Sequence, residues 1–340
     1  MRTLEYRGNA TIGIGEKPIP EPNKDQVRIR IAYAGICGTD MHISDGQHPR
    51  AKAGLTMGHE FSGIIDKAGS DTTFTPGEHV IVEPLISCGT CYSCRAGFPH
   101  VCANLGLYGI DQDGGFADYC VVPAQSVYRL PDSIPLVHGA LVEPLAVGVH
   151  AVRLSRTKVM DTVLVIGGGP IGFFVATAAR QAGAEVHIAE INPFRRRIIE
   201  EMGFSLFDLP SDGDMTRRDE VTDGKGFDVV FDAAGGAPTL RSAVDLARVR
   251  GEVVIVAVPP QDRVISYTPI AFKEISFVGV RVYEYYDFKR AIQLLEGLTI
   301  ELSKLYRVFP LRQYQEAFKA AKQGDGVMRV LFSLGEGAAV

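Results

Sequence analysis

Residue types that bind or work beside a metal crowd into the stretch AGICGTDMHISDGQHPRAKAGLTMGHEFSG, positions 34–63. Cys37 offers a thiolate, His59 an imidazole and Glu60 a carboxylate, with Thr39 and His42 between them. That mixture of ligands suits zinc. A buried cysteine and two surface histidines is the plain alternative when the stretch is taken alone. A second cluster, Cys88-x2-Cys91-x2-Cys94-x7-Cys102, can close a tetrahedral four-thiolate site. Such a site leaves no position for substrate and reads as structural zinc. An iron–sulfur cluster or plain reduced thiols are its rivals.

A third motif binds a nucleotide. Gly167-Gly168-Gly169-Pro170-Ile171-Gly172 fits GxGxxG at 167, 169 and 172, directly after the strand-like Thr162–Ile166 and at the opening of a helix. The glycines permit a tight turn, and the helix N-terminus offers free N–H groups and a positive dipole end to a pyrophosphate. Pro170 and Ile171 stand in the first helical turn. Glu190 ends the next strand, placed to accept from both hydroxyls of an adenosine ribose, and a carboxylate there favours NAD over NADP. Arg195, Arg196 and Arg197 follow closely and soften that preference. The alternative is a glycine turn that holds no ligand.

Cys37, His59 and Glu60 need a further ligand or a water. Glu143, in LVEPLAVG, is the best remaining candidate, against a simple glutamate at a helix start stabilised by the helix dipole. An open position is what separates catalytic from structural zinc. Metal plus dinucleotide implies hydride transfer.

The rest of the chain must position these groups. A length of 340 residues, 46% hydrophobic and 22% charged, suggests two domains of ordinary globular composition. The net charge of −5 argues against nucleic acid or an anionic membrane as the main partner. No charged and then apolar leader pattern opens the chain, so a cytoplasmic location is expected. Four of the six cysteines lie between 88 and 102, which in that compartment fits metal better than disulfides.

To about Ala151 the chain is strand- and loop-rich, with short runs Gln26–Ala34, Gly63–Lys67, His79–Val82 and Tyr119–Val122. From about Asp161 apolar strands alternate with helices: Thr162–Ile166, Glu185–Ala189, Ser205–Asp208, Phe227–Phe231, Glu252–Val258 and Ile275–Val280, separated by helical Ile171–Ala182, Pro193–Met202 and Thr239–Arg248. This reads as α/β, a doubly wound parallel sheet covered on both faces. After Val282 come helices at Asp287–Leu295 and Gln313–Lys322 and a strand at Met328–Leu331, a tail too small for a domain and expected to return to the N-terminal one.

Together GHEFSG at 58–63, CGTDMH at 37–42, the four-cysteine lobe, VEPLAVG at 142–148 and GGGPIG at 167–172 resemble the zinc-dependent medium-chain alcohol dehydrogenases. Within them the chain is most similar to the sorbitol (polyol), 2,3-butanediol and threonine dehydrogenase branch, over essentially its whole length. The resemblance implies a discontinuous β-rich (GroES-like) catalytic domain over 1–152 and 286–340 and a Rossmann domain over 153–285. It implies two zinc ions per subunit and a secondary alcohol as substrate. The strand Ile275–Val280, expected at a sheet edge, pairs with its twin across a two-fold in a homodimer or homotetramer. By the resemblance Cys37 and His59 bind catalytic zinc, and Glu60 ligates or lies just outside. Glu143 stands where the polyol branch has a glutamate and the ethanol-type branch a cysteine. Thr39 and His42 match the proton-relay positions, and Cys120 matches no ligand position.

The substrate pocket departs from the polyol pattern. Ile43 stands where a tyrosine usually follows the relay histidine. Val282 and Tyr283 stand at the usual Arg-Tyr pair, with Arg281 one position early and able to reach a carboxylate of a sugar acid or amino acid. Ile43, Tyr108 and Arg281 are the pocket candidates. The rival functions are a threonine-type dehydrogenase, a zinc-free reductase of quinone-reductase type, which lacks Cys37, His59, Glu60 and the cysteine lobe, and a non-enzymatic zinc ribbon, which the acidic balance disfavours.

Overall fold

Alternation sets the first half of the chain. In Gln26–Gly35 the side chains of Val27, Ile29 and Ile31 are fully buried at every second position, the period of a strand with one face on a core. The structure is a computed structural model, and it describes all residues except 211–212, 259–261, 263, 325 and 336–340. The chain divides into two compact units, Met1–Glu143 with Ala291–Val340, and Pro144–Arg290. The boundaries fall inside two helices, Val142–Leu154 and Tyr285–Gly297.

In the first unit, Gln26–Gly35 is central to a seven-stranded sheet. It pairs antiparallel with Glu60–Ala68 on one side, so that Gly35 faces Glu60, and with Arg329–Ser333 on the other, where Leu331 faces Gly35. Tyr119–Pro123 also pairs with it. The tail supplies both Tyr306–Pro310 and Arg329–Ser333 to this sheet, in parallel. Cys37 therefore leaves the end of the central strand, and His59 enters the neighbouring one. A short helix, Gly38–Ser44, follows Cys37 at once. Cys120 lies buried in the core.

In the second unit six parallel strands form one sheet: β1 (Thr162–Ile166), β2 (Glu185–Ala189), β3 (Ser205–Leu206), β4 (Phe227–Asp232), β5 (Ala247–Ile255) and β6 (Ser276–Gly279). Their order is β3-β2-β1-β4-β5-β6, that of the doubly wound dinucleotide fold. Fully buried Val163, Leu164, Val165, Val230 and Phe231 explain the continuous apolar runs, since both faces are covered. The largest departure from expectation is in β5, which begins at Ala247 and ends at Ile255 where Glu252–Val258 is expected; β3 also stops early, at Leu206 and not Asp208. Ala247 pairs with Phe227, an irregularity follows, and Glu252 then pairs with Val229, so the strand starts before the apolar run does. The preceding helix accordingly stops at Leu246. No helix among the described residues is long and apolar enough to cross a membrane.

Candidate functional site

Backbone geometry brings the first ligand set together. The ligand atoms of Cys37, His59 and Glu60 lie within 4.8 Å of one another. His59 and Glu60 are buried, and His59 Nδ1 and Glu60 Oε1 have no hydrogen-bond partner among the described residues. Orphaned buried polar atoms are costly, and a site that leaves them so is built to be completed by a bound group. The donor set fits zinc. Burial, with the negative charges of Asp40 and Glu143, pushes the Cys37 thiol up to about 11 when no cation is near. A bound cation reverses that, because a coordinated thiol is deprotonated.

Glu143 is buried in the first turn of Val142–Leu154 and near enough to act on Cys37, but stands outside the 4.8 Å group. Glu60 is held on its other oxygen, Oε2, by the guanidinium of Arg329, and both side chains are buried. Gly35 makes room for this pair. A Cβ built there would lie 2.3 Å from Glu60 Oε2 and 3.0 Å from Arg329 Nη2. Asp40 is fully buried, and its Oδ2 accepts from the Cys37 N–H at 2.9 Å, which fixes the turn carrying the thiol.

Sequence reading did not find Asp40 or Arg329. A lone arginine inside the apolar run VMRVLF was the available signal, since a charge in a buried strand needs a partner.

On the helix Gly38–Ser44, Thr39 and His42 share a face at i, i+3 spacing. The Cys37 thiol lies 3.9 Å from Thr39 Oγ1. His42 is exposed, with Nδ1 3.4 Å from Gln47 Oε1. Of the pocket candidates, Ile43 is fully buried in the core and offers no surface to a ligand. Tyr108 is also buried, its phenol pushed up to about 12 chiefly by burial. Arg281 is exposed, in the second unit.

The four cysteines of the lobe converge. Their sulfurs lie 3.5 Å (Cys91–Cys94 and Cys88–Cys102), 3.8 Å (Cys91–Cys102) and 4.0 Å (Cys88–Cys94) apart. A disulfide needs about 2.05 Å, whereas a tetrahedron with Zn–S of about 2.3 Å has edges of about 3.8 Å. The lobe has the dimensions of a closed thiolate site. Backbone N–H groups of Cys91 and Asn104 point at its sulfurs, at 3.4 and 3.3 Å, and stabilise thiolates.

In the second unit a cavity of about 640 Å³ opens beside the glycine motif. Gly167, Gly169, Glu190 and Arg195 line it, with Asn192 and Thr239, which sequence reading did not single out. The turn is as tight as the motif implies: a Cβ on Gly172 would lie 1.7 Å from the Gly167 carbonyl oxygen. Pro170 begins the helix Pro170–Gln181, with Ile171 and Gly172 behind it. Glu190 is buried, and its carboxylate accepts from Gly168 N–H at 3.0 Å, Ile191 N–H at 2.7 Å and Asn192 N–H at 2.8 Å. Arg195 Nη1 lies 3.6 Å from Glu190 Oε2. The carboxylate therefore shapes the cavity as well as charging it.

Residues 23–132 match the family model of the alcohol dehydrogenase GroES-like domain, and residues 170–297 that of the zinc-binding dehydrogenases. The chain is 40% identical to a 2-dehydro-3-deoxy-L-galactonate 5-dehydrogenase of Pseudoalteromonas atlantica, over 94% of each chain. It is 33% identical to a sorbitol dehydrogenase of Halalkalibacterium halodurans, over 95% of this chain and 96% of that one. A crystal structure of a zinc-binding dehydrogenase from Sinorhizobium meliloti bound to NADP superposes with a TM-score of 0.90 at 35% identity, covering 98% of each chain.

Proposed function

Because the chain belongs to the zinc-binding, medium-chain alcohol dehydrogenases, and is an oxidoreductase acting on CH–OH groups, we propose that its substrate is a sugar acid with a secondary hydroxyl distant from its carboxylate. The observation that carries this reading is that the sugar-acid enzyme is the more similar of the two relatives above. The sorbitol-type and threonine-type readings are the rivals.

Cys37 and His59, with Glu60 or Glu143, hold the catalytic zinc in this reading, and Cys88, Cys91, Cys94 and Cys102 the structural one. Catalytic zinc supplies Lewis acidity, which lowers the pKa of a hydroxyl as it lowers that of water from about 15.7 to about 7. Thr39 accepts the hydroxyl proton and passes it on, since its own hydroxyl both donates and accepts. His42 carries it to solvent, which its exposure permits. The glycine turn at 167–172 binds the pyrophosphate of a nicotinamide dinucleotide, the hydride acceptor. Glu190 favours NAD, and Arg195 admits NADP.

Four of the six cysteines gather as a thiolate cluster with metal-site dimensions and not as disulfides, which supports a reducing compartment such as the cytoplasm. Strand β6 is a sheet edge, and nearby Tyr267 and Phe272 are largely exposed. An exposed edge of this kind is covered by a second copy pairing edge to edge, giving a dimer or tetramer.

The test is NAD and NADP reduction by the zinc-loaded enzyme across aldonates, neutral polyols, 2,3-butanediol and threonine. The expected kcat/KM is highest for an aldonate. A higher value for threonine or sorbitol would refute the sugar-acid reading while leaving the dehydrogenase intact.

A further inference from the structure

The loop from Asp45 to Gly58 joins the helix of the relay pair to the ligand His59, and it carries a cavity no metal or cofactor role explains. That cavity, about 260 Å³, is lined by Arg50, Lys52, Asp111, Gln112 and Asp113 among others. Its charges are unequally spent. Asp111 accepts from the Leu107 N–H at 2.9 Å and faces Arg50 at 3.1 Å. Asp113 is held by Lys17 at 2.8 Å and by the Thr56 N–H at 2.8 Å. Both carboxylates are thus occupied by protein donors.

The cations are not. Arg50 spends Nη1 on the Leu105 carbonyl at 2.6 Å and on Asp111, which leaves Nε and Nη2 without protein partners among the described residues. Lys52 is exposed and its ammonium makes no ion pair among them. A guanidinium edge beside a free ammonium is an arrangement suited to an oxyanion. Two of the cavity's lining residues, Ile110 and Asp111, follow directly on Gly109, where a Cβ would lie 2.4 Å from the carbonyl oxygen of Gly58, the residue before the ligand His59. The cavity therefore neighbours the reacting end of the site rather than a remote surface.

We infer that Arg50 and Lys52 bind the anionic end of a polyhydroxy substrate, a carboxylate or a phosphate, and so select charged over neutral alcohols. This rests on the dehydrogenase reading above and gives its sugar-acid form a recognition site. A ligand anchored there by its anion presents a hydroxyl several carbons away to the Cys37–His59 cluster. A neutral polyol gains nothing from either cation.

The experiment compares holoenzyme with Arg50→Gln, which removes the charge but keeps a donor for the Leu105 carbonyl, with Lys52→Ala and with Arg50→Lys. Initial rates are measured with galactonate, sorbitol 6-phosphate and sorbitol, and zinc content and circular dichroism verify each fold. In Arg50→Gln, kcat/KM for the anionic substrate is expected to fall about tenfold or more, the loss typical of a charge-assisted contact. The fall for sorbitol is smaller, Lys52→Ala has a lesser effect of the same kind, and Arg50→Lys recovers part.

Loss confined to galactonate supports the inference with carboxylate as the anion. Loss confined to sorbitol 6-phosphate supports it with phosphate and overturns the sugar-acid reading alone. Equal losses on charged and neutral substrates, or no loss in Arg50→Gln where Arg281→Ala shows one, overturn the inference. A wild-type enzyme that turns over sorbitol only overturns both.

Discussion

Arg329 and Glu60 form a buried ion pair across the central strand of the first unit, 269 residues apart in sequence. The pair exists because Gly35 lies between their strands, opposite Glu60 on one side and Leu331 on the other. Charges taken out of water are costly singly, and removing one partner of a buried pair typically costs about 3–5 kcal/mol.

Arg329→Met is therefore expected to destabilise the enzyme by about 3–5 kcal/mol in urea and to lower its zinc occupancy, because Glu60 is left charged and unheld. Glu60→Gln in the same chain should recover most of the stability. A double variant no more stable than Arg329→Met would show that the arginine acts through something other than Glu60. Gly35→Ala is expected to disturb the same pair by crowding, and zinc content measured on purified protein reads it directly.

The second unit is tied at its two chain crossings by Asp287. His150 Nδ1 donates to it at 2.7 Å, Arg153 Nε at 2.6 Å and the Glu284 N–H at 3.0 Å. Burial alone would raise this carboxyl's pKa, but the hydrogen bonds from His150 and Arg153 outweigh it and hold the group well below the usual range. A depressed native pKa gives stability that is complete above the unfolded value of about 3.9 and is lost as pH falls through the native one. Asp287→Asn should lower the urea midpoint at pH 7, with a smaller deficit near pH 3. An equal deficit at both values would mean the aspartate acts by packing and not by charge.

The central strands of the second unit were legible because β1, β2 and β4 are largely apolar runs ended by a turn, and β1 and β2 fall at their expected bounds. The helix Gly38–Ser44 was not. It is seven residues of indifferent helix formers, started by the Cys37–Asp40 contact and not by periodicity. The ligands Cys37, His59 and the lobe cysteines carried their chemistry in their side chains and could be read singly. Arg329 and Asp40 could not, since their roles come from strand register and burial. Glu190 was read for its charge; its three bonds to backbone N–H groups became visible only once the β1 and β2 turns lay side by side. Ile43 is a pocket candidate because it stands where the polyol branch has a tyrosine after the relay histidine; its side chain is fully buried here, which the sequence position alone does not reveal.

Cys88 is the exposed member of the lobe. The N–H and hydroxyl of Thr90 and the N–H of Cys91 hold its pKa down to about 5. An ordinary thiol near 8.5 is almost wholly protonated at pH 6, so Cys88 should stand out there as the thiolate. In metal-free protein, iodoacetamide at pH 6 is expected to label Cys88 first, and zinc to suppress the labelling, as read by peptide mass spectrometry. Labelling that zinc leaves unchanged would remove the four-thiolate assignment.

Arg195 decides how strictly Glu190 excludes a 2′-phosphate. Its Nη1 lies 3.6 Å from Glu190 Oε2, and its Nε is buried without a hydrogen-bond partner among the described residues. Glu190 already accepts from three backbone N–H groups, so its charge is partly offset before any ligand arrives. A phosphate entering beside it meets a guanidinium with donors to spare, whereas a ribose diol needs only the carboxylate. Arg195→Ala is thus expected to raise the KM for NADP more than that for NAD, moving the ratio of kcat/KM values about tenfold toward NAD. Glu190→Gln should move it the other way, since the amide keeps an oxygen for the backbone but loses the repulsion. Steady-state rates with both cofactors at a fixed substrate concentration give the ratio, and a value unmoved by either change would take cofactor choice away from this pair.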